Sequence, residues 1–356
     1  MIEFNELKKC LGGLFGMEKV NSRIWFFDNL KAFLLLFVVF GHVLELFMIG
    51  KVVFIYQLIY LVHMPLFVFC SGYMAKDNPN RVITNILYPY IIFQTLYCIF
   101  AKLCLGVEMK VNFVTPYWIM WYLLALFAWM LIFPLIKSTI TSKVGVAITI
   151  IFSLFLGIVV GFEETISGFL SLSRIFYFMP FFVLGVCVKK IMKTEKFLQI
   201  ISKWYVRAIS AVLTLTILIW LYRMSDTIPA HWLYGSFPYV EEGYSFIFRI
   251  GVYLSAIVIS IFVMSIMPRR KMFFSYIGAG TLQVYLLHGF IIRLMMKYDV
   301  FGRVPSLTAK IAVGGGIALF ITFVLASRFV KIALRPLFSI DWLARLANRN
   351  DDTNSQ

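Results

Sequence analysis

The sequence predicts an all-α membrane protein, a polytopic bundle of about ten transmembrane helices with both termini cytoplasmic. Three observations predict it. The chain is 61% hydrophobic and only 14% charged, with a mean hydropathy of +0.88, whereas soluble domains carry about 25% charged residues. Apolar segments near the length needed to cross a bilayer recur with no long soluble insertion between them. Lys and Arg are dense in alternate loops and sparse in the others.

Ten segments are long enough to cross: 24–47, 53–74, 83–105, 117–136, 144–161, 172–190, 206–222, 245–267, 274–296 and 308–330. They form one membrane domain, 23–332, after a cytoplasmic arm at 1–22 and before a cytoplasmic tail at 333–356. In the arm, Ile2, Phe4, Leu7, Leu11, Leu14 and Phe15 fall at nearly helical spacing, which suits an interfacial helix. Residues 331–349 resemble it, with Phe338, Trp342, Leu343 and Leu346 opposed by Lys331, Arg335, Arg345 and Arg349. Beyond Asn348 the composition turns polar, as in disordered tails. The first span is too long for a signal-peptide core and lacks a cleavage site, so it should remain as an anchor in the plasma (bacterial cytoplasmic) membrane.

The formal charge of +16 does not mark a nucleic-acid binder. Assigned to loops, 20 Lys and Arg fall on one side and 9 on the other, Arg174 and Arg249 among the latter. That asymmetry orients a bundle, and it puts both termini on the basic, cytoplasmic side. The cysteines, Cys10, Cys70, Cys98, Cys104 and Cys187, follow neither a metal-ligand nor a disulfide spacing and read as small packing residues.

Span one carries the densest chemistry. In DNLKAFLLLFVVFGHVLE, Lys31 and His42 lie eleven residues apart, almost three full turns, so they share one stripe with Leu35 and Val38. Asp28 and Glu45 flank that stripe. Titratable groups inside a membrane are costly and face a protein interior or a wet cavity. A carboxylate one turn from an imidazole fits His42 and Glu45 for general-base work. A snorkelling lysine and a packed histidine would account for Asp28 and Lys31, but leave His42 and Glu45 without a reason.

His63 and His288 also fall inside spans, where hydrogen bonding between helices is the ordinary alternative to a shared cavity. Tyr285 and His288 share a face of the ninth span and, with His63, could position an acceptor or an oxyanion. No ligand spacing supports a metal. A proline kink is expected after His63, at Pro65. Lys76 and Arg81 come after span two on the basic side, where they serve either as topology signals or, with Lys31, as a mouth for an anionic cosubstrate. The longest outer loop, 223–244, mixes Trp232 and Tyr234 with Glu241. It reads equally as a sugar platform and as an interfacial aromatic belt.

These residues resemble the acyltransferase-3 family of membrane acyltransferases. Lys31 and His42 match its Arg/Lys-x10-His pattern. HMPLFVFCSGYM at 63–74, WYLLALF at 121–127, RIFYFMPFFVLGV at 174–186 and TLQVYLLHG at 281–289 come in family order. The nearest branch resembles the fucose 4-O-acetylase-like proteins. Of the family's Arg-x-x-Arg pattern only Arg81 is present, position 84 being Thr. No SGNH-type domain comes after span ten, which implies no second acyl-handling step.

The resemblance implies O-acyl transfer, usually of acetyl, from cytoplasmic acetyl-CoA to a hydroxyl of an extracytoplasmic glycan, with Lys31 and His42 as the functional pair. Acetyl-CoA is then a substrate, and no bound cofactor is expected. In the form this predicts, phosphates rest at Lys31, Arg81 and Lys76, and His42, oriented by Glu45, deprotonates the acceptor for direct transfer. The competing class is a proton-coupled transporter or flippase using the same buried groups. The absence of an internal repeat weighs against it.

Overall fold

The computed structural model describes residues 24–164 and 169–340, and among them every regular element is helical. In hydrocarbon each backbone N–H and C=O must be satisfied within the protein, and helices meet that demand inside one segment. The first eight crossing helices are α1 (Trp25–Phe47), α2 (Val52–Met74), α3 (Pro79–Leu105), α4 (Trp118–Thr139), α5 (Lys143–Phe162), α6 (Phe169–Ile191), α7 (Trp204–Met224) and α8 (Phe246–Ile266). After them come two shorter elements, α9 (Ser275–Ala279) and α10 (Thr281–Lys297). The last crossing helix is α11 (Leu307–Leu325), so nine helices among the described residues are long and apolar enough to span.

The expected segment 274–296 is therefore broken at Gly280 rather than continuous. The cause lies on α1. A Cβ on Gly278 would sit 2.0 Å from the Asp28 carbonyl oxygen, so α9 lies flush against the first turn of α1. Asn29, fully buried there, donates to the carbonyls of Pro268 and Arg270, each at 2.9 Å. It also accepts from Ser275 Oγ at 2.6 Å. One amide thus fixes the approach to α9, and the chain must break before α10 can start.

Burial orders the layers. The spans of α1, α2 and α6 are 61, 67 and 72% buried and form the centre; α5, α7 and α11, at 22, 17 and 22%, form the outer ring. The α2–α6 crossing is close because both helices put glycine at it. A Cβ on Gly72 would lie 2.0 Å from the Phe182 carbonyl oxygen, and one on Gly185 would lie 2.2 Å from that of Phe69. Small residues at such crossings let backbones approach and gain dispersion contact where lipid supplies no hydrophobic drive. Pro65 lies inside α2, two residues beyond His63.

Two sequence assignments change. Arg174 and Arg249 belong to helices α6 and α8, not to loops. Arg249 is 1% exposed. It donates to the Gly157 carbonyl at 3.1 Å and to the Tyr244 hydroxyl at 2.6 Å, and its guanidinium lies 4.5 Å over Tyr239. Carbonyls and aromatic faces stand in for the water it lost. The stretch after α11 is not one amphipathic helix. It divides at Leu334 into Arg328–Ala333 and Arg335–Phe338, with Phe338 stacked 5.7 Å from Phe93. Trp342, Leu343, Leu346, the arm 1–22, Cys10 and the tail beyond residue 340 lie outside the described residues. Of the described cysteines, Cys70, Cys98 and Cys187 are buried and Cys104 is exposed.

Candidate active site

Lys31, Leu35, Val38 and His42, the stripe read from α1, all line one cavity of about 390 Å³. Helix α2 adds His63, Met64, Phe67, Cys70 and Ser71, α4 adds Trp121 and Tyr122, and α10 adds Thr281, Leu282 and Tyr285. A second cavity of about 170 Å³ is lined by Glu45, Trp118, Arg174, Phe178 and Tyr234. His42, Tyr60, Met64, Ile119 and Trp121 line both. His42 is thus part of the wall between a larger, mostly apolar chamber that reaches Lys31 and a smaller, more polar one that reaches Tyr234.

The imidazole is held from several sides. His42 Nδ1 lies 2.8 Å from Glu45 Oε1, across the point where α1 tightens into a 3₁₀ turn at Glu45–Phe47. A carboxylate only accepts, so Nδ1 carries the hydrogen and Nε2 is left as the basic nitrogen. The same Glu45 oxygen accepts from the Tyr56 hydroxyl at 3.0 Å, and Tyr56 meets the Tyr234 hydroxyl at 2.7 Å. Trp118 stands edge-on to the His42 ring at 4.7 Å and the His288 ring stacks on it at 5.4 Å. Arg293 covers the far side of this group, 4.2 Å over Trp118.

The other sequence candidates divide. Lys31 Nζ pairs with Asp28 Oδ1 at 3.1 Å beside its chamber. Lys76 and Arg81 line neither chamber; both are exposed, and Asn78 caps the turn through the Arg81 amide at 3.1 Å. His63 faces the larger chamber with Nδ1 donated to the Ile59 carbonyl at 2.6 Å. Tyr285 also faces it, but its hydroxyl is committed to the Ile119 carbonyl. His288 is fully buried, donates Nδ1 to Val284 O at 2.9 Å and leaves Nε2 without a protein partner.

The loop at 223–244 contributes one side chain rather than a platform. Tyr234 lines the smaller chamber, and burial pushes its phenol up to about 12. Trp232 instead packs on Tyr244 at 5.0 Å and on Phe248, and Glu241 is exposed or nearly so, away from either chamber. No group of three His, Cys, Asp or Glu side chains among the described residues converges as a metal set.

The sequence reading passed over Tyr56, Tyr60, Trp118 and Arg174. A signal for two of them existed. Tyr56, Tyr60 and His63 recur at i, i+4 and i+7 along α2, a polar stripe in an otherwise apolar span.

Fold and site together define a multi-pass membrane protein with a histidine–carboxylate pair set between two chambers. The acyltransferase-3 family model, an acyltransferase domain, matches residues 24–327, and the chain belongs to that family of membrane acyltransferases. No curated protein and no solved structure gives a significant match. Each of the five motifs quoted from the sequence supplies a wall to one chamber or both.

Proposed function

We propose that the protein is an O-acyltransferase that moves an acetyl group from acetyl-CoA, entering the larger chamber from the cytoplasm, to a hydroxyl of an extracytoplasmic glycan presented in the smaller one. The observation that carries this reading is the position of His42 in the wall common to both chambers, with Glu45 on its Nδ1. Phosphates of the donor would rest at Lys31. The first turn of α10 opens on the same chamber, and its N–H groups before Val284 have no intrahelical acceptor. Lys76 and Arg81, outside the chamber, add little. The apolar middle of the chamber suits the pantetheine arm.

His42 Nε2 takes the acceptor proton as the hydroxyl oxygen bonds to the thioester carbon. The tetrahedral adduct then collapses, the carbon–sulfur bond breaks, and the imidazolium returns the proton to the leaving thiolate. Glu45 stabilises the imidazolium between those steps. Among the described residues no histidine or carboxylate hydrogen-bonds the thiols of Cys70 or Cys187, which favours direct transfer over an acyl-enzyme. The likeness to fucose 4-O-acetylase-like sequences favours acetyl and a sugar hydroxyl, and the loop asymmetry in Lys and Arg favours an extracytoplasmic acceptor. Membranes containing the protein and radiolabelled acetyl-CoA test the reading. Label entering glycan only while His42 is intact supports it. Solute flux without any acyl donor, and no thioester consumption, would replace it with transport.

A further inference from the structure

Arg174 has no role in the proton and acyl transfers assigned to His42, yet it lines the chamber assigned to the acceptor. It sits near the start of α6, just after two non-glycine residues in left-handed backbone, Leu170 (φ 50) and Ser171 (φ 52). Such residues persist only where the surroundings hold them. Beyond Leu172, Ser173 and Arg174 anchor the strained turn. Ser173 Oγ donates to the Gly235 carbonyl at 2.6 Å, and Arg174 Nε donates to Ser236 Oγ. The guanidinium lies 5.1 Å over the Trp121 ring. One edge of the fork is thereby fixed, one face is covered, and the residue still borders the chamber.

No carboxylate among the described residues pairs with this cation. The chamber's own carboxylate, Glu45, is bonded to His42 and Tyr56. The outer-loop acids are engaged elsewhere: Asp226 with Lys51 at 2.8 Å and Glu242 with His231. Holding a guanidinium in a small cavity without a counter-ion is costly. Arg249 shows how this fold treats a structural arginine, with carbonyls and three tyrosine faces around it. Arg174 hydrogen-bonds one hydroxyl and lies over one ring, with tyrosine phenols near it but no carbonyl among the described residues accepting from it. Its fork matches the oxygens of a carboxylate or a phosphate, bidentate and planar.

We infer that the smaller chamber selects an acceptor bearing an anionic group, a carboxylate or a phosphate, which Arg174 binds close to the hydroxyl that is acylated. The inference rests on the acyl-transfer reading and names its acceptor class. An acidic outer loop by itself would suggest a neutral or cationic sugar, but Glu241 does not line the chamber.

The test uses the full-length protein in its native membranes with radiolabelled acetyl-CoA. The labelled, His42-dependent product is resolved by anion exchange. Retention on the column is expected. Loss of retention after carbodiimide reduction of carboxyl groups assigns a carboxylate, and loss after mild acid or phosphatase assigns a phosphate. Arg174→Gln should raise the acceptor KM about tenfold or more and leave the acetyl-CoA KM unchanged, while Arg174→Lys, which keeps the charge but not the planar fork, should raise the acceptor KM by less. A labelled product that elutes as neutral overturns the inference and leaves acyl transfer standing. Loss of kcat in Arg174→Gln with an unchanged acceptor KM overturns it too, and gives Arg174 to the charge of the transition state. Label entering nothing, with or without His42, defeats both readings. The product's charge is read on the unaltered protein, so a variant that fails to fold does not obscure the result.

Discussion

The hydroxyls of Tyr56 and Tyr234 meet at 2.7 Å, joining residues 178 positions apart in the chain. Through Tyr56 the outer loop reaches Glu45, and through Glu45 it reaches His42. The orientation of the His42 ring is therefore sensitive to a loop between α7 and α8.

Removing the base or its carboxylate should have the largest effect. His42→Ala is expected to lower transfer about 10²–10⁴-fold, the usual worth of a positioned general base. Glu45→Gln keeps the shape but neither holds the Nδ1–H tautomer nor balances the imidazolium, so a loss of similar order is expected. Initial rates with radiolabelled acetyl-CoA, on protein whose thermal midpoint is unchanged, check both.

Tyr56→Phe removes a hydrogen bond made directly to Glu45 and should cost about 1–3 kcal/mol of transition-state stabilisation, or roughly 5- to 150-fold in kcat/KM. Tyr234→Phe removes the outer bond only and should cost less, about 0.5–1.5 kcal/mol. The sign of its pH dependence comes from burial. The Tyr234 phenol is raised to about 12, so the contribution of its neutral form is complete below the ordinary tyrosine value of about 10 and is lost as pH rises through the folded value. In a tyrosinate absorbance titration, Tyr234→Phe should remove one phenol from the late-titrating set.

The helix crossing offers a stability test with its own control. Gly72→Ala or Gly185→Ala drives a methyl into a backbone carbonyl and should cost about 1–3 kcal/mol or more, read as loss of monodisperse protein on heating. A Cβ on Gly316 of α11 meets nothing within 4 Å, so Gly316→Ala should be neutral or stabilising by about 0.5–1 kcal/mol.

Asn29→Leu should detach α9. It strands two carbonyls and the Ser275 hydroxyl in the interior, at about 1–3 kcal/mol for the unsatisfied groups. Because α9 and α10 wall the larger chamber, the acetyl-CoA KM should rise while the acceptor KM stays put. Double-substrate kinetics separate the two.

Much of this was legible in the chain. Helical periodicity alone put Lys31, Leu35, Val38 and His42 on one stripe, and one cavity collects all four. Local spacing also joined His42 to Glu45. What escaped was set by distant partners. Hydropathy sees 274–296 as one span because it averages over Gly280, and the break is dictated by Asn29, whose side chain bonds Ser275 across 246 positions of chain. Arg174 and Arg249 looked like loop charges because they fall near the starts of their helices, where composition does not tell inside from outside. Tyr234 and Trp232 looked equivalent in the loop, and only packing separates the chamber wall from the aromatic cluster with Tyr244 and Phe248.

The partition at His42 has an electrical consequence. In the proposed reaction neither CoA nor the acceptor crosses the bilayer. An acyl group passes one way as the acceptor's proton passes the other, and the two transfers carry equal formal charge. The exchange is electroneutral. A moved charge would couple to the membrane potential by about 2.3 kcal/mol per 100 mV, but this cycle moves none. Dissipating the potential should leave its rate untouched, and the thioester alone would drive it.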